Sequence, residues 1–198
     1  MFQIFNIIGL ITFSFSGAIK GISKKFDLFG IIVLGCITAL GGGVIRDILV
    51  NQLPKMLIDP SYIGFSLLGV LLAILLRKKI TPIVEKIFLI SDAIGLASFT
   101  ATGCIIGKES SLGLVGIILL GLSTAIGGGI IRDILSGDIP LVLQKEFYAS
   151  CSILGGFIFW LCLIFGFPIS FSTFICVIIV FLTRIMAIKY NWHLPHFS

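Results

Sequence analysis

One stretch of this chain is written twice, and the duplication constrains the fold more than any other feature. Residues 35–54 read G-C-I-T-A-L-G-G-G-V-I-R-D-I-L-V-N-Q-L-P, and residues 121–140 read G-L-S-T-A-I-G-G-G-I-I-R-D-I-L-S-G-D-I-P. Three glycines, an Arg-Asp pair and a proline seven residues after the Asp recur at a constant offset of 86. Both copies lie in strongly apolar segments, where an arginine and an aspartate are costly unless they pair or line a polar cavity. Glycine runs at membrane depth are tolerated where neighbours or water satisfy the loosened backbone. Interrupted helices at matching places in two halves point to a substrate or ion site. The doubled motif is the expected functional centre.

The repeat extends beyond the glycines. Asn6, Gly9, Phe13 and Gly17 align with Asp92, Gly95, Phe99 and Gly103, and further on Tyr62 aligns with Tyr148 and Gly69 with Gly155. The chain has 198 residues, 58% of them hydrophobic and 12% charged. Its mean hydropathy is +1.20. A soluble domain of this length could not hide so much apolar surface, so the expected solvent is a bilayer. At about 20 apolar residues per span, seven spans are expected, over 3–20, 28–50, 61–76, 87–107, 111–135, 147–166 and 168–188. Repeat one covers about 3–80, repeat two about 87–166, and a seventh helix about 168–188. Three spans per copy is odd, so the second copy enters from the opposite side, as an inverted repeat about an axis in the membrane plane. The expected fold is a single all-α membrane domain.

The net charge of +5 does not imply a nucleic-acid partner, because the charges are sorted by side. Lys20, Lys24, Lys25, Arg77, Lys78, Lys79, Lys86, Lys145, Arg184 and Lys189 fall on one side; Lys55 and Lys108 fall on the other. That asymmetry places the lysine-rich side in the cytoplasm, with the N-terminus outside and the C-terminus inside a cell membrane. Anionic lipid headgroups suffice as partners for these lysines. Cys36, Cys104, Cys151, Cys162 and Cys176 all fall within spans, form no C-x-x-C pair, and read as small apolar residues rather than disulfides or metal ligands. His193 and His196 read as solvated tail residues.

Within the spans, Ser16 and its counterpart Thr102 sit on small-residue stripes, and Asp92, about one turn inside an apolar span, needs a partner. Its counterpart Asn6 keeps the hydrogen bonding without the charge. In the motif spans, Thr38, Gly42 and Arg46 share one stripe at helical spacing, copied as Thr124, Gly128 and Arg132. Asp47 and Asp133 end the adjoining stripes. Three successive glycines cost about 1 kcal/mol each relative to alanine in a helix, which suggests kinks at Gly41, Gly42, Gly43 and at Gly127, Gly128, Gly129. Freed carbonyls there could coordinate a partly dehydrated cation. Close packing by the glycines, and hydroxyls bonded back to their own helix, are the plainer alternative. Adjacent helical residues do not face each other, so each arginine is expected to find its partner on another span and to act as a plug, or else to clamp a helix end. No catalytic set or phosphate loop is evident, so an enzyme is not expected.

The doubled G-G-G-x-x-R-D, in a three-plus-three repeat with a seventh helix, resembles the prokaryotic TRIC channels, relatives of the trimeric intracellular cation channels whose domain is also called a glycine transporter. The resemblance spans essentially the whole chain. It implies a homotrimer with a pore in each protomer that conducts monovalent cations, chiefly K⁺ with Na⁺ as the other candidate, through helices kinked at the two glycine triplets, with no cofactor. A secondary transporter for glycine or another small neutral solute is the other reading.

Overall fold

The computed structural model describes residues 1–80, 83–144, 147–190 and 192, so Lys145, His193 and His196 lie outside the described residues. These residues form nine helices in the order α1 (Phe2–Ser23), α2 (Leu28–Leu49), α3 (Lys55–Ile58), α4 (Ser61–Ile80), α5 (Val84–Glu109), α6 (Leu114–Leu135), α7 (Leu141–Gln144), α8 (Ala149–Ile164) and α9 (Ile169–Tyr190). Helices α1, α2, α5, α6 and α9 are long and apolar enough to cross a membrane, and the apolar runs 61–77 of α4 and 149–164 of α8 are shorter. The chain is a multi-pass, all-helical membrane protein. The two four-residue helices α3 and α7 were not expected, and each starts directly after the proline of its motif copy.

Counterpart positions fold alike. Helix α1 ends in a left-handed Lys25 at φ 59°, and α5 in a left-handed Ser111 at φ 57°. Helix α2 is followed by Asn51 at φ 55°, and α6 by Gly137 at φ 74°. At each end the next amide reaches back to a carbonyl five residues earlier, as from Phe26 to Gly21 and from Asp138 to Asp133. That bond satisfies carbonyls the helix end leaves open.

The core is a reciprocal crossing. The rings of Phe13 on α1 and Phe99 on α5 meet edge to face, centroids 5.1 Å apart and 85° between planes. Each ring occupies the space over the other repeat's glycine: Phe99 over Gly9, Phe13 over Gly95. Helices α2 and α6 cross in the same reciprocal way. A Cβ on Gly42 would strike the Thr124 carbonyl oxygen, and a Cβ on Gly128 the Thr38 carbonyl oxygen. Such exchange of contacts between counterparts is what a local two-fold relation produces.

The glycine triplets do not interrupt their helices. Helices α2 and α6 run unbroken through Gly41–Gly43 and Gly127–Gly129. The expectation of a loosened hydrogen-bond ladder is corrected here: the missing Cβ atoms let two backbones touch, and that packing offsets the low helix propensity of glycine.

Helix α9 breaks the symmetry. Gly69 of α4 packs against the Ser14 hydroxyl and the Ile11 carbonyl of α1, whereas its counterpart Gly155 of α8 faces Val180 and Cys176 of α9. The added helix therefore takes the glycine face that the first repeat uses internally.

Candidate functional site

The aspartate of each motif copy has two jobs, and together they explain the proline spacing. Asp133 Oδ1 accepts from Arg132 Nε at 2.8 Å, while Oδ2 accepts from Arg132 Nη2 at 3.1 Å and from the Leu141 amide at 2.9 Å. Asp47 Oδ1 accepts from Arg46 Nε at 2.9 Å, and Oδ2 from the Lys55 amide at 2.8 Å. Leu141 and Lys55 are the first residues of α7 and α3, immediately after Pro140 and Pro54. An aspartate eight residues upstream thus satisfies an amide that the start of a helix leaves without an intrahelical partner.

This geometry corrects one expectation. Arg46 and Arg132 do bond the aspartate next to them in sequence. Adjacent Cβ atoms point about 100° apart on a helix, but the guanidinium rides on a long stem and folds back across that angle.

The two copies differ in what else they hold. Arg132 Nη1 also donates to Asp92 Oδ1 on α5 at 2.5 Å and to Ser16 Oγ on α1 at 3.3 Å. Its guanidinium lies 4.7 Å over the Phe88 ring. For this arginine, the expected partner on another span is present. Arg46 has neither contact. Asn6 stands where Asp92 would be, and Thr102, the counterpart of Ser16, donates only to the Phe99 carbonyl at 3.2 Å. Arg46 Nη1 has no hydrogen-bond partner. Its guanidinium lies 5.6 Å over Phe2, the counterpart of Phe88. Arg46 is 1% exposed and Arg132 0%, so neither charge is relieved by water. One cation faces two carboxylates in the Arg132 cluster, whereas one faces one at Arg46, with Lys55 beside it. Burial, and then the nearby Arg46, lower the Lys55 ammonium pKa.

The hydroxyl candidates Ser16, Thr38, Thr102 and Thr124 are buried and locally satisfied. Thr38 and Thr124 donate to the carbonyls of Leu34 at 2.5 Å and Leu120 at 2.6 Å, four residues back in their own helices. Ser16 donates to Phe13 at 3.0 Å. Gly41 and Gly127 meet Ile131 and Ile45 across the crossing, and Gly129 faces the Tyr148 hydroxyl.

A cavity opens beside each cluster, lined by the phenylalanine over which the motif arginine lies. One, of about 560 Å³, is lined by Phe2, Asn6, Lys55 and Tyr62. The other, of about 480 Å³, is lined by Lys20, Phe88, Leu141 and Arg184. Phe2 and Phe88 are counterparts, as are Lys55 and Leu141, so the cavities are the two ends of one repeated design. Sequence reasoning passed over both phenylalanines, although the offset of 86 pairs them. It also passed over Asp138, which Lys20 and Lys24 each contact at 2.5 Å, tying the end of α1 to the turn before α7. These lysines hold the Asp138 carboxyl below the usual carboxylate range.

The sequence profile of the family described as "Glycine transporter" matches residues 3–78 and 89–163, one match per repeat. A UPF0126 membrane protein of Bacillus subtilis, YvgT, is 34% identical over 197 residues, spanning 99% of this chain and 96% of that protein. The crystal structure of a prokaryotic TRIC channel in 0.5 M KCl superposes with a TM-score of 0.91 at 36% identity, covering 98% of each chain. The TRIC trimeric intracellular cation channel orthologue from Rhodobacter sphaeroides superposes at 0.90 with 30% identity, covering 96% of this chain and 98% of the other.

Proposed function

Because the chain belongs to the TRIC cation-channel family, we propose that it is a passive channel for monovalent cations, chiefly K⁺, with one pathway through each protomer of a homotrimer. The observation that carries this reading is the pair of cavities related by the repeat, each lined by the phenylalanine over which a buried motif arginine lies. Seven spans, two inverted three-helix units and a lone α9 fit that arrangement. The α1 N-terminus is then outside, and the face carrying Lys20, Lys24 and Asp138 is cytoplasmic, next to anionic lipid. The pathway runs along the α2/α6 crossing, and opening requires these helices to bend or part at Gly41–Gly43 and Gly127–Gly129. Ser16, Thr102, Thr38 and Thr124 line the route once they part. No enzymatic step and no cofactor is part of this reading.

A buried arginine is a barrier to a passing cation unless it is neutralised or moved. Arg132 is hydrogen-bonded from three helices, α1, α5 and α6, whereas Arg46 is hydrogen-bonded only from its own. Arg46 is therefore the movable plug and Arg132 the clamp. K⁺ flux into liposomes, normalised to assembled protein, tests this. Arg46→Ala raises flux and Asn6→Asp, which supplies the missing carboxylate, lowers it. Unchanged flux in both would remove the plug. Saturable, gradient-coupled uptake of a neutral solute in place of channel currents would overturn the channel reading in favour of a transporter.

A further inference from the structure

The cavity beside Arg46 narrows to a neck. Asn6, Lys55 and Tyr62 line the cavity of about 560 Å³, and they also line a smaller one of about 10 Å³ whose wall includes Arg46 and Asp47. These three side chains therefore stand between the wide mouth and the Arg46–Asp47 pair. The smaller cavity has room for about one water molecule, so an ion there is poorly shielded from the charges around it. Both linings, Phe99 apart, come from residues 1–77, which are described throughout.

Of the three neck residues only Lys55 is charged. Its Nζ lies 4.3 Å over the Phe2 ring, and no carboxylate pairs with it among the described residues. Asp47 is already engaged, one oxygen on Arg46 and the other on the Lys55 amide, so its charge answers the arginine. Asp59, in the outer lining, and Glu109, which acts on Lys55 from α5, are both exposed, where water and salt weaken their field. The neck thus holds one unpaired ammonium. Leu141 stands at the counterpart position, so the other mouth lacks this charge. A fixed charge repels a passing cation in proportion to the ion's own charge. Rate falls exponentially with the barrier, so any factor that Lys55 takes from a monovalent flux it takes squared from a divalent one. Charged side chains at constrictions set ion selectivity in this way.

We propose that Lys55 is the valence filter of this mouth: it lets monovalent cations past the neck of Asn6 and Tyr62 and turns divalent cations back. The filter rests on the channel reading and names the residue that sets its specificity. It acts before an ion reaches Arg46, and it is separate from the movement of that arginine.

K⁺ and Ba²⁺ fluxes into liposomes that hold the full chain, each normalised to assembled protein, test the filter. The parent passes K⁺ and little Ba²⁺. Lys55→Gln raises both fluxes and Ba²⁺ the more, a gain of about threefold in K⁺ going with a gain of about ninefold in Ba²⁺. Lys55→Met keeps an apolar stem against Phe2 and gives the same pattern, which preserves the test if the glutamine variant does not assemble. Lys55→Arg retains the charge and holds Ba²⁺ flux below that of the neutral variants. Equal gains for both ions mean a loosened neck, and they overturn the filter. So does unchanged Ba²⁺ flux in the neutral variants, or as much Ba²⁺ through the arginine variant as through them. K⁺ flux with any of these three results overturns the filter alone, whereas no K⁺ flux in the parent overturns the channel reading and the filter with it.

Discussion

Among the described residues Asp47 is the sole carboxylate on Arg46, whereas Asp133 shares Arg132 with Asp92. Removing one partner of a buried ion pair leaves an uncompensated charge and costs about 3–5 kcal/mol. Asp47→Ala should therefore lose stability on that scale, and Asp133→Ala distinctly less, because Asp92 remains. Both variants lose the acceptor for the first amide of the following short helix, so that term cancels in the comparison. Denaturation in mild detergent measures the difference. Equal losses would mean that the short helices, and not the arginines, depend on these carboxylates. The sequence showed that Arg and Asp matter at both places, and that Asn6 and Asp92 make the two ends unlike. It did not show which partner each arginine takes, because a rule about Cβ directions says nothing of how far a guanidinium can fold back.

The three glycines of each triplet are equivalent in sequence and unlike in the folded protein. A methyl on Gly42 would meet a backbone carbonyl of α6, which cannot rotate away. The nearest atom to a methyl on Gly43 is Arg46 Nη2 at 3.8 Å, an ordinary contact. Gly42→Ala should thus force α2 and α6 apart at a cost of about 1–3 kcal/mol. Gly43→Ala should be neutral or gain up to about 1 kcal/mol of helix propensity. Thermal unfolding of the two variants side by side checks this ranking, and an equal loss at Gly43 would place a neighbour there that the crossing lacks. The helices and their pairing were legible because the period of 86 repeats rare polar residues among apolar ones. The four-residue helices α3 and α7 were not, since four residues carry no period. Their signature was the proline, whose spacing from the aspartate only the folded chain explains.

Across the whole molecule, charge sorts the two ends. Lys20 and Lys24 clasp Asp138 on one side, and Gln52, the counterpart of Asp138, has no charge to offer on the other. Because the lysines lower the folded pKa of Asp138, the clasp adds stability above the ordinary carboxylate range and loses it as pH falls through the lowered value. The melting temperatures of the parent and Asp138→Asn should differ at neutral pH and converge well below pH ~4. A difference that persisted in acid would assign the effect to packing. The same sorting makes an orientation testable. Ser23 lines the cavity beside Lys20, and Ser61 lines the cavity beside Lys55; both are exposed. If the lysine-rich end is cytoplasmic, as the bias of basic residues requires, these cavities open to opposite compartments. A membrane-impermeant maleimide applied to intact cells should then label Ser61→Cys and spare Ser23→Cys, and inverted vesicles should reverse the pattern. The five native cysteines lie in α2, α5, α8 and α9, and unsubstituted protein sets their background. Labelling of Ser23→Cys from outside, with Ser61→Cys protected, would turn the molecule over and place the Arg46 end in the cytoplasm.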